Sequence, residues 1–252
     1  MTRTLLITGG ASGIGAEPAR RAAARGYRVA LNYRSREPQA KAVVADIVSG
    51  GGKAIALPGD MAHEADILRL FEETERALGP VTHLVNSAGT NGRRDRVDEY
   101  DAAVLANLFA VNVVGLMLCC REAARRMSTK HGGKGGAIVN VSSMAATLGG
   151  RLGSSAYAAS KGAVDAFTKG FAREVAAEGI RVNSVRPGMV LTEMTEGRLS
   201  DAAFRTSIEA SIPMRRIGKA NEIAETILWL LSDDASFITG AMLDAAGGGY
   251  NL

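Results

Sequence analysis

A tyrosine and a lysine stand four residues apart in the segment SAYAASKGAVDAF, which begins at Ser155. The alanine-rich sequence favours a helix, and this separation places Tyr157 and Lys161 on the same helical face. Core packing accounts for a buried tyrosine, but it does not account well for an ammonium group beside it. Because a nearby cation stabilises a phenolate, the pair predicts proton-transfer chemistry near neutral pH.

A glycine-rich segment, ITGGASGIGAEPAR, follows the first apolar run. Gly9, Gly13 and Gly15 follow the pattern G-x-x-x-G-x-G, whereas G-x-G-x-x-G is not met because Pro18 occupies the last place. Such a turn between a strand and a helix lets backbone N–H groups approach a pyrophosphate. The pattern indicates a nucleotide site, and a flexible loop of small residues is the alternative.

The second apolar run ends in LNYRSRE, at the place where dinucleotide-binding sheets of this kind contact the adenosine ribose. Proteins that bind NAD usually place an acidic residue here to accept a hydrogen bond from the ribose 2′-hydroxyl. Tyr33 occupies that place in this chain, and Arg34 follows it. An arginine suits a 2′-phosphate, so we predict a preference for NADP(H), while use of NAD(H) stays open because surface arginines are common.

Short apolar runs alternate with amphipathic or alanine-rich stretches along most of the chain. The runs are 4–8, 28–33, 54–58, 83–87, 137–143, 181–185 and 241–246. Strands and helices in alternation indicate a parallel sheet with helices on both faces. With no linker, repeat or low-complexity tract, residues 1–252 are predicted to form a single α/β domain, a doubly wound Rossmann fold of about seven strands.

Composition and charge exclude several classes of protein. Of the 252 residues, 46% are hydrophobic and 22% are charged, as in ordinary globular proteins. We expect no membrane-spanning helix, on the view that no apolar stretch approaches the roughly 20 residues required. No secretory signal is predicted, because the first apolar run turns to glycine too early. Together these features predict a cytoplasmic protein without a membrane partner.

The two cysteines and the arginine clusters are interpreted as structural features. Cys119 and Cys120 are adjacent in an apolar segment, so we expect buried reduced thiols and no metal site. The net charge of +4 is small. The clusters at 93–96 and 125–126 lack interleaved aromatic residues, so they indicate solvated surfaces and no nucleic-acid partner.

Six motifs occur in order along the chain: TGGASGIG, NSAG, VN, VNVSS, YAASK and RPGMVLTEM. Together they resemble the short-chain dehydrogenase/reductase family, in its common soluble form of about 250 residues. The resemblance implies an oxidoreductase that interconverts a carbonyl and a secondary alcohol by hydride transfer to or from a nicotinamide dinucleotide. It covers nearly the whole sequence.

Four residues have catalytic roles by this resemblance. Tyr157 is the general acid/base, and Lys161 lowers the pKa of that tyrosine and hydrogen-bonds the nicotinamide ribose. Ser143 hydrogen-bonds the substrate oxygen. Ser142 is an alternative, because Tyr157 stands 14 positions after Ser143 in this chain, whereas the separation is 13 in many relatives. Asn112 interrupts its helix and holds a water in the proton relay, although an ordinary buried asparagine is also consistent with the pattern.

Residues at the ends of several strands complete the predicted cofactor site. By resemblance, Asp60 contacts the adenine, Asn86 borders the cofactor, and Thr192 binds the carboxamide or pyrophosphate. The full predicted set, besides Tyr157 and Lys161, is Gly9, Ser12, Gly13, Ile14, Gly15, Tyr33, Arg34, Asp60, Met61, Asn86, Ala88, Gly89, Pro187, Gly188, Val190 and Thr192.

The substrate is less well determined than the reaction. Residues 191–215 are polar with few anchors, which is typical of a substrate lid that orders on binding. A sugar, polyol or other small carbonyl compound is favoured. A 3-oxoacyl-(acyl-carrier-protein) reductase is the first alternative, weakened because Glu178 stands where an arginine would receive the acidic carrier. A dinucleotide-sensing scaffold without turnover is the second, weakened because the catalytic residues are retained.

The resemblance also implies association between copies of the chain. Relatives pack the helix of Tyr157 and the preceding helix, at about 102–127, across a two-fold axis. The C-terminal segment FITGAMLDAAGGG resembles a second interface of the family. We predict a homotetramer, and a dimer is the alternative.

Overall fold

The computed structural model describes residues 3–249, except for the side chain of Met194. The strands, in chain order, are β1 Thr4–Thr8, β2 Arg28–Tyr33, β3 Lys53–Pro58, β4 His83–Asn86, β5 Gly136–Val141, β6 Ile180–Pro187, β7 Val190–Leu191, β8 Gly218–Lys219 and β9 Met242–Ala245. The α-helices are α1 Gly13–Ala24, α2 Glu37–Ser49, α3 Glu64–Leu78, α4 Ala102–Phe109, α5 Leu116–Met127, α6 Ala145–Leu148, α7 Ser155–Val175, α8 Glu193–Leu199, α9 Ala202–Ser211 and α10 Ala220–Leu231.

Seven of these strands form one parallel sheet in the order β3-β2-β1-β4-β5-β6-β9. The strands read as apolar runs because helices cover both faces of the sheet. One core lies under α1, α2 and α10, and the other lies under α3, α5 and α7. The prediction of a doubly wound α/β fold is confirmed.

The prediction that no segment could span a membrane by length and apolarity is wrong. The continuous helix Ala102–Met127 has 26 residues and a mean hydropathy of 2.2 over its most apolar window. A core helix passes the same test, and this one packs against β4, β5 and α7. The helix continues through Asn112, which the resemblance led us to expect as an interruption, because the π-helical segment Ala110–Gly115 widens the helix without ending it.

The predicted lid contains more regular structure than its polar sequence indicated. It forms α8 and α9, and Asp201 caps α9 by accepting hydrogen bonds from the N–H groups of Ala203 and Phe204. A small core of its own holds these helices, formed by Leu199, Ile208, Ile212 and Ile217. The apolar anchors were overlooked because they are separated along the sequence and meet only after the chain turns.

The cysteines are buried and free, and burial raises the pKa of the Cys119 thiol to about 12. Within the part of the chain that the structure describes, the basic clusters are largely neutralised. Arg93 pairs with Asp95, and Arg126 contacts both Glu75 and Glu122. The Arg93 pair is an ordinary surface ion pair, whereas the Glu122 carboxylate is buried beneath Arg126.

Candidate active site

The glycine-rich turn lies where the strand order reverses, between the carboxyl ends of β1 and β4, which is the usual ligand crevice of such sheets. A Cβ at Gly9 would stand 2.8 Å from Cα of Ala88, and one at Gly15 would stand 2.3 Å from the Gly9 carbonyl oxygen. These two glycines are therefore required by close backbone packing. Gly13 has φ +55, a left-handed backbone conformation that favours glycine.

The N-terminus of α1 suits a phosphate group. Ser12 precedes the helix without capping it through its side chain, and the first turn has no acidic residue. The positive end of the helix and its N–H groups thus face the crevice unopposed by a carboxylate of that turn. Ile14 packs its side chain against the core behind the turn. The turn fits the pyrophosphate of a dinucleotide.

Asn32 is a supporting residue that sequence reasoning missed. Its side chain is buried in β2, where its Oδ1 accepts a hydrogen bond from Gly9 N at 3.3 Å. Its Nδ2 donates to the Gly59 carbonyl at 2.9 Å. Asn32 therefore ties the glycine turn to the end of β3, and a polar residue inside an apolar strand was the available signal.

Arg34 and Asp60, both predicted to contact the cofactor, are brought together. The Arg34 side chain is 62% exposed, and its Nη1 lies 3.7 Å from a carboxylate oxygen of Asp60. Tyr33 is half-buried at the end of β2. Arg36, which the sequence reasoning passed over, donates to the Ser12 hydroxyl at 3.0 Å and pairs with Glu193 of the lid. Two arginines thus flank the expected ribose position.

Met61 lies apart from the other predicted cofactor residues. Its side chain is buried in the core under α3 and α5, and its sulfur lies 3.8 Å from Sγ of Cys119. Asp60 stays at the crevice, where its Oδ1 accepts from the N–H of Ala62 at 2.9 Å. A cofactor role for Met61 would therefore use its backbone.

Lys161 occupies a buried position between β5 and the phenol ring of Tyr157. Its Nζ donates to the Val141 carbonyl at 2.8 Å and lies 5.9 Å from the centre of the Tyr157 ring. Burial lowers the pKa of Lys161 to about 8, and Asp165 opposes that effect. The amine is therefore mostly charged at neutral pH, and its charge acts on Tyr157 with little solvent screening.

The two serines after β5 are in different environments. Ser142 is buried, and its hydroxyl donates to the Lys161 carbonyl at 3.2 Å. Ser143 is half-buried, and its hydroxyl oxygen accepts from Ala145 N at 3.1 Å. An accepting hydroxyl keeps its proton available for a substrate oxygen. The geometry thus favours Ser143 over Ser142.

Asn112 lies in the π-helical segment and supports α7, the helix that carries Tyr157 and Lys161. Its side chain accepts from Thr90 N and donates to the Thr90 carbonyl, each at 2.8 Å. Its Nδ2 also donates at 3.1 Å to the hydroxyl of Ser160, which in turn donates to the Tyr157 carbonyl at 2.7 Å. Ser160 escaped the sequence reasoning because only the fold shows that it bridges two predicted residues.

The segment after β4 contacts both the end of β1, at the glycine-rich turn, and the side chains of Asn112 and Lys161. Ala88 N donates to the Thr8 hydroxyl at 3.1 Å. A Cβ at Gly89 would stand 3.3 Å from Oδ1 of Asn112 and 3.7 Å from Nζ of Lys161. Glycine therefore allows the backbone to pass beside the lysine.

A buried polar network fixes the position of α7 on the sheet. Asn86 Nδ2 donates to Asn140 at 2.9 Å, and Asn140 Nδ2 donates to the Thr168 hydroxyl at 2.9 Å. The chain of amides thus joins β4, β5 and α7. The donated hydrogen bonds of this network fix the position of α7, whereas Oδ1 of Asn86 is buried and accepts no hydrogen bond within the described residues.

The segment that follows β6 closes the crevice from the other side. The Pro187 carbonyl accepts from Met144 N at 3.0 Å, and Gly188 packs directly on Ala246. Val190 is buried, and Thr192 precedes α8 as its capping residue. A Cβ at Gly13 would stand 3.4 Å from Cβ of Thr192. The start of the lid therefore lies against the glycine turn.

Comparison with known proteins agrees with this arrangement. A family model described as enoyl-(acyl carrier protein) reductase matches residues 9–251. An uncharacterized oxidoreductase of Escherichia coli, YgfF, is 44% identical over 96% of this chain and 98% of its own length. The 3-oxoacyl-[acyl-carrier-protein] reductase of Rattus norvegicus is 39% identical, covering 98% of each chain.

Solved structures give the same result. A short-chain dehydrogenase/reductase from Serratia marcescens superposes with a TM-score of 0.89 at 33% identity, over 98% of this chain and 97% of that one. A blue fluorescent protein from a metagenomic library, in complex with NADPH, gives a TM-score of 0.88 at 32% identity with the same coverage. This chain therefore belongs to the short-chain dehydrogenase/reductase family and is an oxidoreductase that acts on CH–OH groups with NAD(P).

Proposed function

We propose that this protein is an NADP(H)-dependent oxidoreductase that interconverts a small carbonyl compound and its secondary alcohol, with Tyr157 as general acid/base. The observation that carries the proposal is the position of Lys161, whose buried ammonium lies 5.9 Å from the Tyr157 ring. Ser143 follows the strand end that holds this ammonium. The phenol of Tyr157, the ammonium of Lys161 and the hydroxyl of Ser143 thus all belong to segments at the carboxyl end of β5.

Each residue has a defined role in the proposed reaction. The dinucleotide supplies or accepts the hydride. During reduction, Tyr157 donates its phenolic proton to the substrate oxygen, and during oxidation it takes that proton back. The Ser143 hydroxyl donates a hydrogen bond to the same oxygen as negative charge develops there. Lys161 stabilises the phenolate that remains, and Asn112 with Ser160 holds the helix that carries both groups.

The NADP(H) preference rests on Arg34, aided by Arg36. Neither Tyr33 nor Arg34 can accept the 2′-hydroxyl hydrogen bond as a carboxylate would, whereas the exposed guanidinium of Arg34 suits a 2′-phosphate. In this proposal Arg34 exchanges Asp60 for the phosphate when the cofactor binds. The NADPH complex of the similar blue fluorescent protein supports the same preference.

Reduction of 3-oxoacyl thioesters is a second candidate, favoured by the names of several relatives at 34–39% identity. The Glu178 carboxylate accepts a hydrogen bond from the Ser128 hydroxyl near the start of β6. An acidic carrier protein would meet this negative charge rather than an arginine. We therefore favour small carbonyl compounds, with sugars and polyols among them.

We also propose that the protein assembles as a homotetramer, with a dimer as the alternative. Val114 is 51% exposed on the apolar helix that relatives place at a two-fold axis. Phe237 and Leu243, near the C-terminal edge of the sheet, are also exposed. Large apolar side chains exposed on two separate faces favour two interfaces.

The test is a fluorescence titration of the purified protein with NADPH and with NADH, repeated on Arg34→Ala and on the control Arg76→Ala, which changes an exposed arginine of α3. We expect NADPH to bind more tightly, and Arg34→Ala to weaken NADPH about 10-fold without affecting NADH. Equal or tighter NADH binding would refute the assignment of Arg34.

A panel of carbonyl compounds is then assayed with the preferred dinucleotide. Turnover of small ketones or aldehydes would support the proposed reaction, and turnover restricted to 3-oxoacyl thioesters would favour the second candidate. Tight cofactor binding without turnover of any carbonyl compound would favour the non-catalytic sensing role.

A further inference from the structure

Three arginines from three separate segments, each leading into the proposed catalytic site, lie near one another. Arg94 lies in the loop after β4, Arg151 lies in the loop before α7, and Arg198 lies in α8 of the lid. The Cζ atoms of Arg198 and Arg151 are 4.8 and 5.4 Å from the ring centre of Phe204 in α9. The aromatic ring therefore holds two guanidinium groups close together through cation–π contacts.

Arg94 belongs to the same cluster because the two loops are joined. Asp95 N donates to the Gly153 carbonyl at 3.2 Å, and a Cβ at Gly153 would stand 3.5 Å from Cβ of Arg94. Gly153 lies in the loop of Arg151. The joined loops and the lid thus place three positive side chains around one position.

Arg94 and Arg198 differ from neighbouring arginines in how their charge is balanced. Arg93 and Arg96, in the same loop as Arg94, each pair with an aspartate, at 2.6 and 2.8 Å. Within residues 3–249, neither Arg94 nor Arg198 forms an ion pair with a carboxylate. Partial desolvation, together with repulsion from Arg198 and Arg151, lowers the pKa of the exposed Arg94. Like charges that repel one another in this way would be stabilised by a bound anion.

The segments of the cluster lead directly into the catalytic residues. The loop of Arg94 begins with Gly89, whose backbone passes beside Lys161. The loop of Arg151 runs into α7, which carries Tyr157, and α8 follows Thr192 at the glycine turn. A substrate whose carbonyl group reached Tyr157 could extend its other end toward the arginines.

We propose that Arg94, Arg151 and Arg198 form a subsite for an anionic group of the substrate, a carboxylate or a phosphate carried by the same molecule as the reacting carbonyl. Arginine recognises both groups through paired charge-assisted hydrogen bonds. This subsite rests on the proposed carbonyl–alcohol function and narrows its substrate class to oxo acids or phosphorylated carbonyl compounds.

Matched substrates test the subsite. The reduction of 4-oxopentanoate is compared with that of its methyl ester, and dihydroxyacetone phosphate is compared with dihydroxyacetone. Arg94→Gln and Arg198→Gln are assayed beside Arg96→Gln, an arginine of the same loop whose Asp98 partner already balances it. We expect each test variant to raise KM for the preferred anionic substrate about 10-fold or more. The kcat for that substrate, and both kcat and KM for the matched neutral compound, should change less than about two-fold. Arg96→Gln should change none of these values.

Calorimetric titration measures binding at the subsite without turnover. The NADP⁺-saturated protein is titrated with 4-oxopentanoate and, separately, with dihydroxyacetone phosphate. Binding of one anion that weakens about 10-fold in both test variants supports the proposal and identifies its carboxylate or phosphate form. Failure of both anions to bind, or equal effects on charged and neutral partners, would overturn it. An effect confined to a 3-oxoacyl carrier-protein substrate would also overturn it, in favour of a protein-docking surface. Failure of the proposed oxidoreductase function is distinguishable from failure of the subsite, because the protein would then turn over no carbonyl compound, charged or neutral.

Discussion

Replacing Lys161 with methionine removes the buried charge beside Tyr157 while keeping a side chain of similar length. The ammonium lies 5.9 Å from the phenol ring. Two unit charges about 6 Å apart interact by about 3 kcal/mol at an effective dielectric constant of about 20. The phenolate of Tyr157 should therefore be about 100-fold less populated at pH 7 in the variant.

The assay is alcohol oxidation with NADP⁺, measured as kcat/KM between about pH 6 and pH 10. We expect Lys161→Met to lose about 100-fold at pH 7, with a profile displaced by about 2 pH units toward alkaline pH. Lys169→Met is the matched control, because Lys169 lies on the same helix but is exposed. A loss smaller than about five-fold, or a loss that is the same at every pH, would refute the electrostatic role and leave Lys161 as a positioning residue.

Two further predictions concern stability and assembly. Because burial lowers the pKa of Lys161 in the folded protein to about 8, below its ordinary value of 10.5, the folded protein binds fewer protons than the unfolded chain between these values. The buried charge destabilises the protein fully below pH 8 and progressively less above it. Urea denaturation should therefore give Lys161→Met a free energy of unfolding up to about 3 kcal/mol higher than that of the native protein at pH 7, and this difference should narrow by pH 10. A gap that widened with pH would contradict this reasoning. Val114→Asp should lower the mass measured by light scattering, whereas Val48→Asp, at a site 53% exposed on α2, should not. Unchanged mass in the Val114 variant would contradict the proposed interface.

The fold was predictable because its signals are local. Strands covered on both faces must be apolar along their length, so TLLIT and AIVNV indicate a parallel sheet without knowledge of their neighbours. The apolar length of one segment was underestimated, because the helix Ala102–Met127 is continuous. Asn112 was expected to interrupt this helix, but the helix accommodates it through a π-helical segment and hydrogen bonds to Thr90.

The candidate site was only partly predictable. Tyr157 and Lys161 lie one turn apart on a single helix, so their spacing alone brings them together. Contacts between segments that are distant in sequence cannot be predicted from spacing. The bridging role of Ser160 and the approach of Arg94 to Arg198 are of this kind, because both depend on tertiary packing. The lid helices were missed for the same reason, although Asp201 before Ala202 was an available capping signal.

The most direct test of the central claim compares cofactor binding with turnover in Tyr157→Phe. We predict that this variant binds NADPH within about two-fold of the native protein but reduces the best carbonyl substrate at least about 100-fold more slowly, because it has no proton to donate. Tyr27→Phe is the control, since Tyr27 packs against His83 at the opposite end of the sheet. A Tyr157→Phe protein that binds NADPH and keeps more than about a tenth of the native rate would contradict the account.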